Sequence, residues 1–176
     1  MGIPFIDEPL ERWAERFRFY RPFKVRFGEI DAFGHVNNVV YFRYFEQARI
    51  EYLAHLGVFR EMFEGSTSSI IVAANLEAHY LAPVYFDEQI DVGVKAERIG
   101  RSSIDLSYVV RRPSGASCAR DGATGANVDV PRSSGEKPKV VAVGRGTIVH
   151  VDRASGKSLP VPDDVRRAVE TYERLA

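Results

Sequence analysis

The sequence predicts an α+β fold in which a curved antiparallel sheet wraps around one long helix. A helical pattern without glycine or proline runs from about 38 to 56, one strand pattern precedes it, and four strand patterns follow it. Consecutive strands with short connections pair antiparallel, and a sheet must bury one face against another element. The 176 residues are expected to form a single domain, 1–176, because domains usually contain ~100–200 residues.

The first elements are a short helix, a strand and the long helix. Residues 1–20 are expected to form a helical extension, because apolar residues recur at helical spacing from Pro9 to Phe19. The alternation in 23–27 (FKVRF) predicts a half-buried strand. Apolar residues of the long helix cover well over one face, so we expect protein to enclose most of it.

The second half of the chain completes the sheet. Strands are predicted at 70–80, within 84–100 and 101–112, and at 139–152, and a last helix opens at Pro162.

The segment 113–138 fits none of these patterns, because it is rich in Gly, Ser, Ala, Pro, Arg and Asp. A structureless stretch of this length inside a compact domain is usually functional or disordered. We expect an expanded, mobile hairpin loop, with a lid as the alternative, and an exposed Cys118 without a role.

Composition excludes several classes of protein. Lys+Arg and Asp+Glu number 24 each, so no basic excess points to nucleic acid as the main partner. No apolar run approaches the ~18 residues of a membrane span, and the charged start is unlike a signal peptide. The single cysteine excludes an intramolecular disulfide and fits a cytoplasmic protein. The histidines lack metal-binding spacing such as HExxH, so neither a metal nor a cofactor is expected.

The loop before the long helix carries more polar residues than a turn needs. Asn37 or Asn38 is a good N-cap, and a helix N-terminus presents N–H donors with partial positive charge. Gly34 allows a ligand to approach the backbone. N–H groups near Gly34 to Val36 are therefore expected to hold a carbonyl oxygen that becomes an oxyanion.

Asp31 supplies a carboxylate to the same loop. A carboxylate beside a polarised carbonyl can attack it directly or deprotonate a water, and both routes stay open. The structural alternative is that Asp31 only caps a turn, although it lies far ahead of a helix capped by Asn37 or Asn38. His35 is by itself more typical of a hydrogen-bonded structural residue.

The stretch EIDAFGHVNNVVYFRYFEQARIEYL resembles the signature of hotdog-fold acyl-CoA thioesterases of the 4-hydroxybenzoyl-CoA thioesterase type. The matching positions are Asp31, Gly34, His35, Val36, Asn37, Asn38, Tyr41, Phe45, Glu46 and Arg49. The similarity extends from Pro22 to Val165 apart from the long loop. The 113–138 insertion and the N-terminal helix depart from the family.

This resemblance implies a five-stranded hotdog fold, a homodimer or homotetramer with active sites between subunits, and hydrolysis of an acyl-CoA. Asp31 would be the catalytic acid, with His35 and Asn38 beside it. The expected substrate-binding residues are Gly34, Val36, Asn37, Tyr41 and Phe45. The acyl chain would follow the aromatic face of the helix.

Three further expectations concern charges and alternative functions. Arg98 and Arg101 flank the IGRSS turn and could contact CoA phosphates as charge-assisted donors. Glu46 and Arg49 lie one helical turn apart, which favours an ion pair. The alternative functions are an acyl-thioester hydratase or dehydratase of the same fold, with His35 and Asp31 as acid and base, and a non-catalytic acyl-CoA-binding protein.

Overall fold

Five strands and one long helix form the body of the protein in this computed structural model, which describes residues 2–58, 68–114, 119–120, 127–128 and 138–175. The elements are α1 (Leu10–Glu15), β1 (Phe19–Lys24), a 3₁₀ turn (Phe27–Glu29), α2 (Asn38–His55), β2 (Ser69–Tyr80), β3 (Gln89–Ile99), β4 (Ser103–Arg112), β5 (Ala119–Arg120), β6 (Asn127–Val128), β7 (Lys139–Asp152) and α3 (Asp163–Glu173).

The main sheet has the strand order β1-β3-β4-β7-β2, and every neighbouring pair is antiparallel. The predicted α+β architecture is therefore confirmed. β1 and β2 are the edge strands, which explains why β1 tolerates Pro22, a residue without a backbone N–H.

The first strand was predicted too late in the chain. β1 ends at Lys24, and Phe27 opens the 3₁₀ turn with 80% of its surface exposed. Val25 is still buried, and its N–H donates to the carbonyl oxygen of Glu88 at 2.9 Å. The alternation of 23–27 therefore reflects the end of the strand together with the turn that follows it.

The long helix α2 packs one face against the sheet. Its fully buried side chains include Phe45, Ala48 and Tyr52. The opposite side, with Arg43, Glu46 and Gln47 among others, is exposed. The expectation that protein encloses most of this helix is wrong for a single chain, because the side of α2 that faces away from the sheet is exposed.

Glycine in β7 allows this close approach between helix and sheet. A Cβ atom added to Gly144 would lie 2.6 Å from the ring of Phe45 and 2.7 Å from the carbonyl oxygen of Glu77. The same Phe45 ring stacks on Tyr108 of β4, with 4.6 Å between ring centroids. Only a residue without a side chain fits beneath Phe45.

The N-terminal extension covers the other face of the sheet. Helix α1 is shorter than expected, Leu10–Glu15, and Phe19 already belongs to β1. Trp13 and Phe17 form a second apolar cluster with Val109 of β4 and Val143 of β7.

The last helix, α3, contacts the C-terminal half of α2. The hydroxyl of Tyr52 donates to Oε1 of Glu173 at 2.7 Å, and the backbone N–H of Ala96 donates to the same oxygen at 3.2 Å.

Most of the 113–138 segment lies outside the described residues, and so does Cys118. Its described part contains the two-residue antiparallel pair of β5 with β6. The expectation of a mobile loop or lid is not tested.

Candidate active site

The loop between the 3₁₀ turn and α2 is a tight backbone turn. The N–H of Asp31 donates to the carbonyl oxygen of His35, and the N–H of Gly34 donates to that of Asp31, both at 3.0 Å. Gly34 has φ of 81°, in the left-handed region that glycine adopts without steric cost. The glycine is therefore required by the turn itself, independently of any ligand.

Among the described residues, only one oxygen of the Asp31 side chain accepts a hydrogen bond. Oδ1 accepts the N–H of Phe33 at 2.8 Å, whereas Oδ2 lies 3.7 Å from Nδ1 of His35, too far for a hydrogen bond. The Asp31 side chain is only 19% exposed. Asp31 thus holds its own turn with Oδ1, and Oδ2 makes no hydrogen bond among the described residues.

His35 is placed beside Asp31 by two contacts of its ring. Nδ1 lies 3.3 Å from the carbonyl oxygen of Val36, and the ring of Phe33 stacks at 6.3 Å between centroids. The His35 side chain is 40% exposed, so it can reach a bound molecule.

The helix cap is Asn37. Its Oδ1 accepts the N–H of Val39 at 3.0 Å, and α2 begins at Asn38. Asp31 is therefore not the helix cap. Asn38 is exposed, and its carbonyl oxygen accepts the hydroxyl of Tyr80 at 2.9 Å.

The expected N–H donors need a correction. The N–H of Gly34 donates to Asp31, and the N–H of Val36 donates to the carbonyl oxygen of Val84 at 2.7 Å. Neither is available to an oxyanion in this geometry. Among the bonds of the described residues, the N–H groups of His35 and Asn38 have no acceptor.

Two of the expected substrate-binding residues lie in the core. Phe45 has no exposed surface and Tyr41 is 2% exposed. Burial raises the pKa of Tyr41 to about 12, so its hydroxyl stays protonated at neutral pH. Phe45 cannot contact a ligand in this arrangement, because the ring fills the space between α2 and the sheet.

The expected ion pair of Glu46 with Arg49 is not formed. Glu46 is exposed, whereas Arg49 is 8% exposed and donates to the hydroxyl of Tyr108 at 3.2 Å. The Arg49 guanidinium is turned into the core toward Tyr108, whereas Glu46 lies at the exposed side of α2, so the two charged groups do not meet although a three-residue step makes the positions neighbours.

The turn with Arg98 and Arg101 lies far from Asp31. The loop is tied to Val84, just before β3, whereas Arg98 is near the other end of that strand, roughly 30 Å away at about 3.3 Å per residue. Arg98 also pairs with Asp105, with 2.8 Å between Nη2 and Oδ2. Within one chain these arginines and Asp31 are not parts of the same site.

Sequence reasoning missed a buried ion pair under the loop. Arg112 donates to both carboxylate oxygens of Glu88, at 3.0 and 3.2 Å, and to the carbonyl oxygen of Pro83 at 2.6 Å. The Glu88 side chain is 4% exposed. This pair anchors the segment whose Val84 carbonyl receives the N–H of Val36.

A groove of about 910 Å³ adjoins the loop. Residues of β1 and of the exposed side of α2 line it, together with Glu29 and Phe86. A second groove, of about 780 Å³, lies on the far face of the sheet beside Trp13. Asp31 lines neither groove, so these surfaces of one chain do not form a pocket around the carboxylate.

Large apolar side chains are exposed around the loop and along β2. They are Phe27, Phe33, Val39, Val72, Tyr80, Leu81 and Phe86. Phe27 and Phe86 contact each other edge to face, with ring centroids 5.9 Å apart. No helix among the described residues is long and apolar enough to span a bilayer.

Comparisons with known proteins show the family and the fold of the chain. A model of the thioesterase-like superfamily matches residues 25–169. The YsmA protein of Bacillus subtilis is 34% identical over 153 residues, which cover 85% of this chain and 99% of that protein.

Two further relatives bear on the activity and the fold. A 1,4-dihydroxy-2-naphthoyl-CoA hydrolase of Prochlorococcus marinus (strain NATL1A) is 35% identical over 95 residues, which cover 50% of this chain and 63% of that protein. A solved thioesterase superfamily structure from Jannaschia sp. CCS1 has a TM-score of 0.70 at 22% identity and covers 100% of this chain and 99% of that chain. The predicted hotdog fold is confirmed.

Proposed function

Because the chain belongs to the thioesterase-like superfamily, whose enzymes hydrolyse thioesters, we propose that it converts an acyl- or aryl-CoA to the free acid and CoA, with Asp31 as the catalytic carboxylate. The observation that carries this proposal is the free Oδ2 of Asp31, which has no hydrogen bond among the described residues and lies just ahead of the N-terminus of α2.

The reaction follows either of two routes. Asp31 deprotonates a water that attacks the thioester carbonyl, or Oδ2 attacks the carbonyl itself and the resulting anhydride is hydrolysed by water. In both routes the C–S bond breaks and CoA leaves as the thiol after it takes up a proton. The carboxylate activates the water or forms the bond itself, so the proposal includes no metal or cofactor.

The developing oxyanion would be held by backbone donors. The N–H groups of His35 and Asn38 have no acceptor among the described residues, and the partial positive charge at the N-terminus of α2 favours negative charge there. Gly34, Val36 and Asn37 shape the loop that presents these donors. Tyr41 is buried and its ring packs against Tyr80, whose hydroxyl donates to the carbonyl oxygen of Asn38.

The proposal includes a homo-oligomer, at least a dimer. β2 is a long edge strand of 12 residues with an exposed Val72, whereas the other edge, β1, carries Pro22 and flanking charges that discourage pairing. Tyr80 at the end of β2 bonds to Asn38, so a second copy on this edge would lie beside the loop. The open surroundings of Asp31 would thereby be closed.

The same assembly would determine which arginines can contact the CoA phosphates. Arg98 and Arg101 would reach CoA bound at Asp31 only from a second subunit, because they lie at the other end of β3 within one chain. A cytoplasmic location, based on the single Cys118, is also part of the proposal.

The assay is thiol release from a panel of aryl, short-chain and long-chain acyl-CoAs. We expect Asp31→Asn to lower kcat by about 100-fold or more, because general acid–base catalysis contributes about 10²–10⁴-fold. The asparagine Oδ1 can still accept the N–H of Phe33, so the loop is expected to remain folded.

Asp152→Asn is the matched control, because Asp152, the last residue of β7, also accepts a backbone N–H through Oδ1, from Ser155 at 2.7 Å. Its kcat should equal that of the wild type. Full activity in Asp31→Asn would leave Asp31 with only its role in the turn. Hydration of an enoyl-CoA without thiol release would favour the hydratase alternative, for which His35 lies 3.7 Å from Asp31.

The oligomer is tested by sedimentation velocity. We expect at least a dimer at micromolar concentration and a monomer for Val72→Lys, since a charge in the middle of β2 opposes pairing of edges. A wild-type monomer with full activity would refute the shared site.

A further inference from the structure

Glu29 connects the two ends of the Asp31 loop through its main chain. Its carbonyl oxygen accepts the N–H of Asn37, the helix cap, at 2.9 Å. The next residue, Ile30, forms an isolated antiparallel bridge with Val36. Glu29, two positions before Asp31, is therefore where the start and the end of the loop are held together.

The Glu29 side chain adds a bond to the body of α2. Its Oε2 accepts the backbone N–H of Arg26 at 2.7 Å and the hydroxyl of Tyr44 at 2.8 Å. Tyr44 lies in the second turn of α2, 4% exposed, and its ring packs against Phe23 and Tyr41 at 5.0 and 6.2 Å between centroids.

The Tyr44 hydroxyl is a permanent donor in this position. Burial, and then the hydrogen bond to Glu29 and its charge, raise the pKa of Tyr44 far above its ordinary value. The ring is held by packing on two aromatic neighbours, so the direction of the O–H is determined by α2.

We propose that the Glu29–Tyr44 hydrogen bond is a positioning brace that sets the Asp31 loop, and with it the catalytic carboxylate, relative to the N-terminus of α2. This inference rests on the proposed function, in which the carboxylate and the N–H donors act on one carbonyl. The donors of Asn38 move with the helix, whereas Asp31 moves with the loop. The brace therefore connects the part of the loop next to Asp31 with the second turn of α2.

If the Glu29–Tyr44 bond only stabilised the fold, its loss would affect kcat no more than the loss of a similar bond elsewhere in α2. Tyr52 makes the same kind of bond, from its hydroxyl to Oε1 of Glu173 at 2.7 Å, in the same helix. It lies eight positions after Tyr44, or about 12 Å further along the axis at ~1.5 Å per residue. Tyr52→Phe is therefore a matched control for the loss of one buried tyrosine–carboxylate bond.

The test compares Tyr44→Phe with Tyr52→Phe in the full-length protein. Both variants keep their rings, so both are expected to fold and to lose similar stability. We expect Tyr44→Phe to lower kcat roughly 10- to 100-fold, because small misplacements of reacting groups cost up to about 10²-fold. KM should change little, since neither Glu29 nor Tyr44 is among the proposed substrate-binding residues.

Conservative replacement of the acceptor provides a second check. Glu29→Gln keeps a side-chain oxygen for Arg26 and Tyr44, so its kcat should exceed that of Glu29→Ala by about 10-fold or more. The double variant Glu29→Ala/Tyr44→Phe should be no slower than the worse single variant, because both remove one interaction. Additive losses, or an unchanged kcat in Tyr44→Phe, would overturn the brace.

An arm without substrate separates this inference from the proposed function. Hydrogen–deuterium exchange of the amides of 31–38 should be faster in Tyr44→Phe than in Tyr52→Phe and in the wild type. Faster exchange together with no thiol release from any acyl-CoA by the wild type would support the brace and reject the thioesterase proposal. Equal exchange in the two variants would overturn the brace, whether or not the wild type is active.

Discussion

The ion pair of Arg112 with Glu88 should be one of the most costly polar contacts to break. Its side chains are 12% and 4% exposed, and the Glu88 carboxylate receives two bonds from the guanidinium. Arg112→Met keeps most of the aliphatic volume and leaves Glu88 buried without its cation. Breaking a buried pair by removal of one partner costs about 3–5 kcal/mol.

The control is Arg98→Met in the same sheet. Arg98 pairs with Asp105 at 2.8 Å, the same Nη2–oxygen distance as in the buried pair, but its side chain is 73% exposed. Exposed pairs contribute only about 0.2–1 kcal/mol, since water screens them and ordering long side chains costs entropy. Burial is thus the main difference between the two variants.

The assay is urea denaturation followed by far-ultraviolet circular dichroism at neutral pH, with the slope m compared among the three proteins. We expect the free energy of unfolding to fall by about 3 kcal/mol or more in Arg112→Met and by at most about 1 kcal/mol in Arg98→Met. Equal losses in the two variants would refute the reasoning, because they would show that Glu88 is hydrated in the native state.

Two further predictions concern packing and pH. Gly144→Ala should lower the free energy of unfolding by about 1–3 kcal/mol, because its Cβ meets Phe45 at 2.6 Å. Gly28→Ala, whose Cβ has nothing within 4 Å, should change this free energy little. Equal effects of the two substitutions in denaturation would contradict the packing. Burial raises the pKa of Tyr41 from 10.0 to about 12, so its neutral form adds stability below pH 10 that is lost as pH rises toward 12. This rise in pKa corresponds to about 2–3 kcal/mol. Tyr41→Phe should show a flatter stability profile above pH 10, and parallel profiles would exclude this contribution.

Local patterns were sufficient for most elements of the fold. The last strand, 139–152, and the start of α2 at Asn38 agree with the sequence, because side-chain periodicity and capping residues act over a few neighbouring positions. The same local chemistry identified Asp31, and the structure confirms that it is not the helix cap. Its catalytic role stays a proposal.

Predictions that required knowledge of packing were less successful. Phe45 was expected at the substrate and lies fully in the core, and Phe27 was expected in a half-buried strand and is exposed. An apolar side chain satisfies the same pattern in a core, in a pocket or in an interface, so the sequence does not distinguish these environments.

The sequence by itself determined the order of the helices and of the five main strands, and the loop with Asp31, Gly34 and Asn37. These depend on periodicity and on backbone preferences of single residues. Only the tertiary structure decided which polar groups meet. Glu29 and Tyr44 are 15 positions apart and Glu88 and Arg112 are 24 apart, and such pairs form only because strand register and helix packing bring distant parts of the chain together.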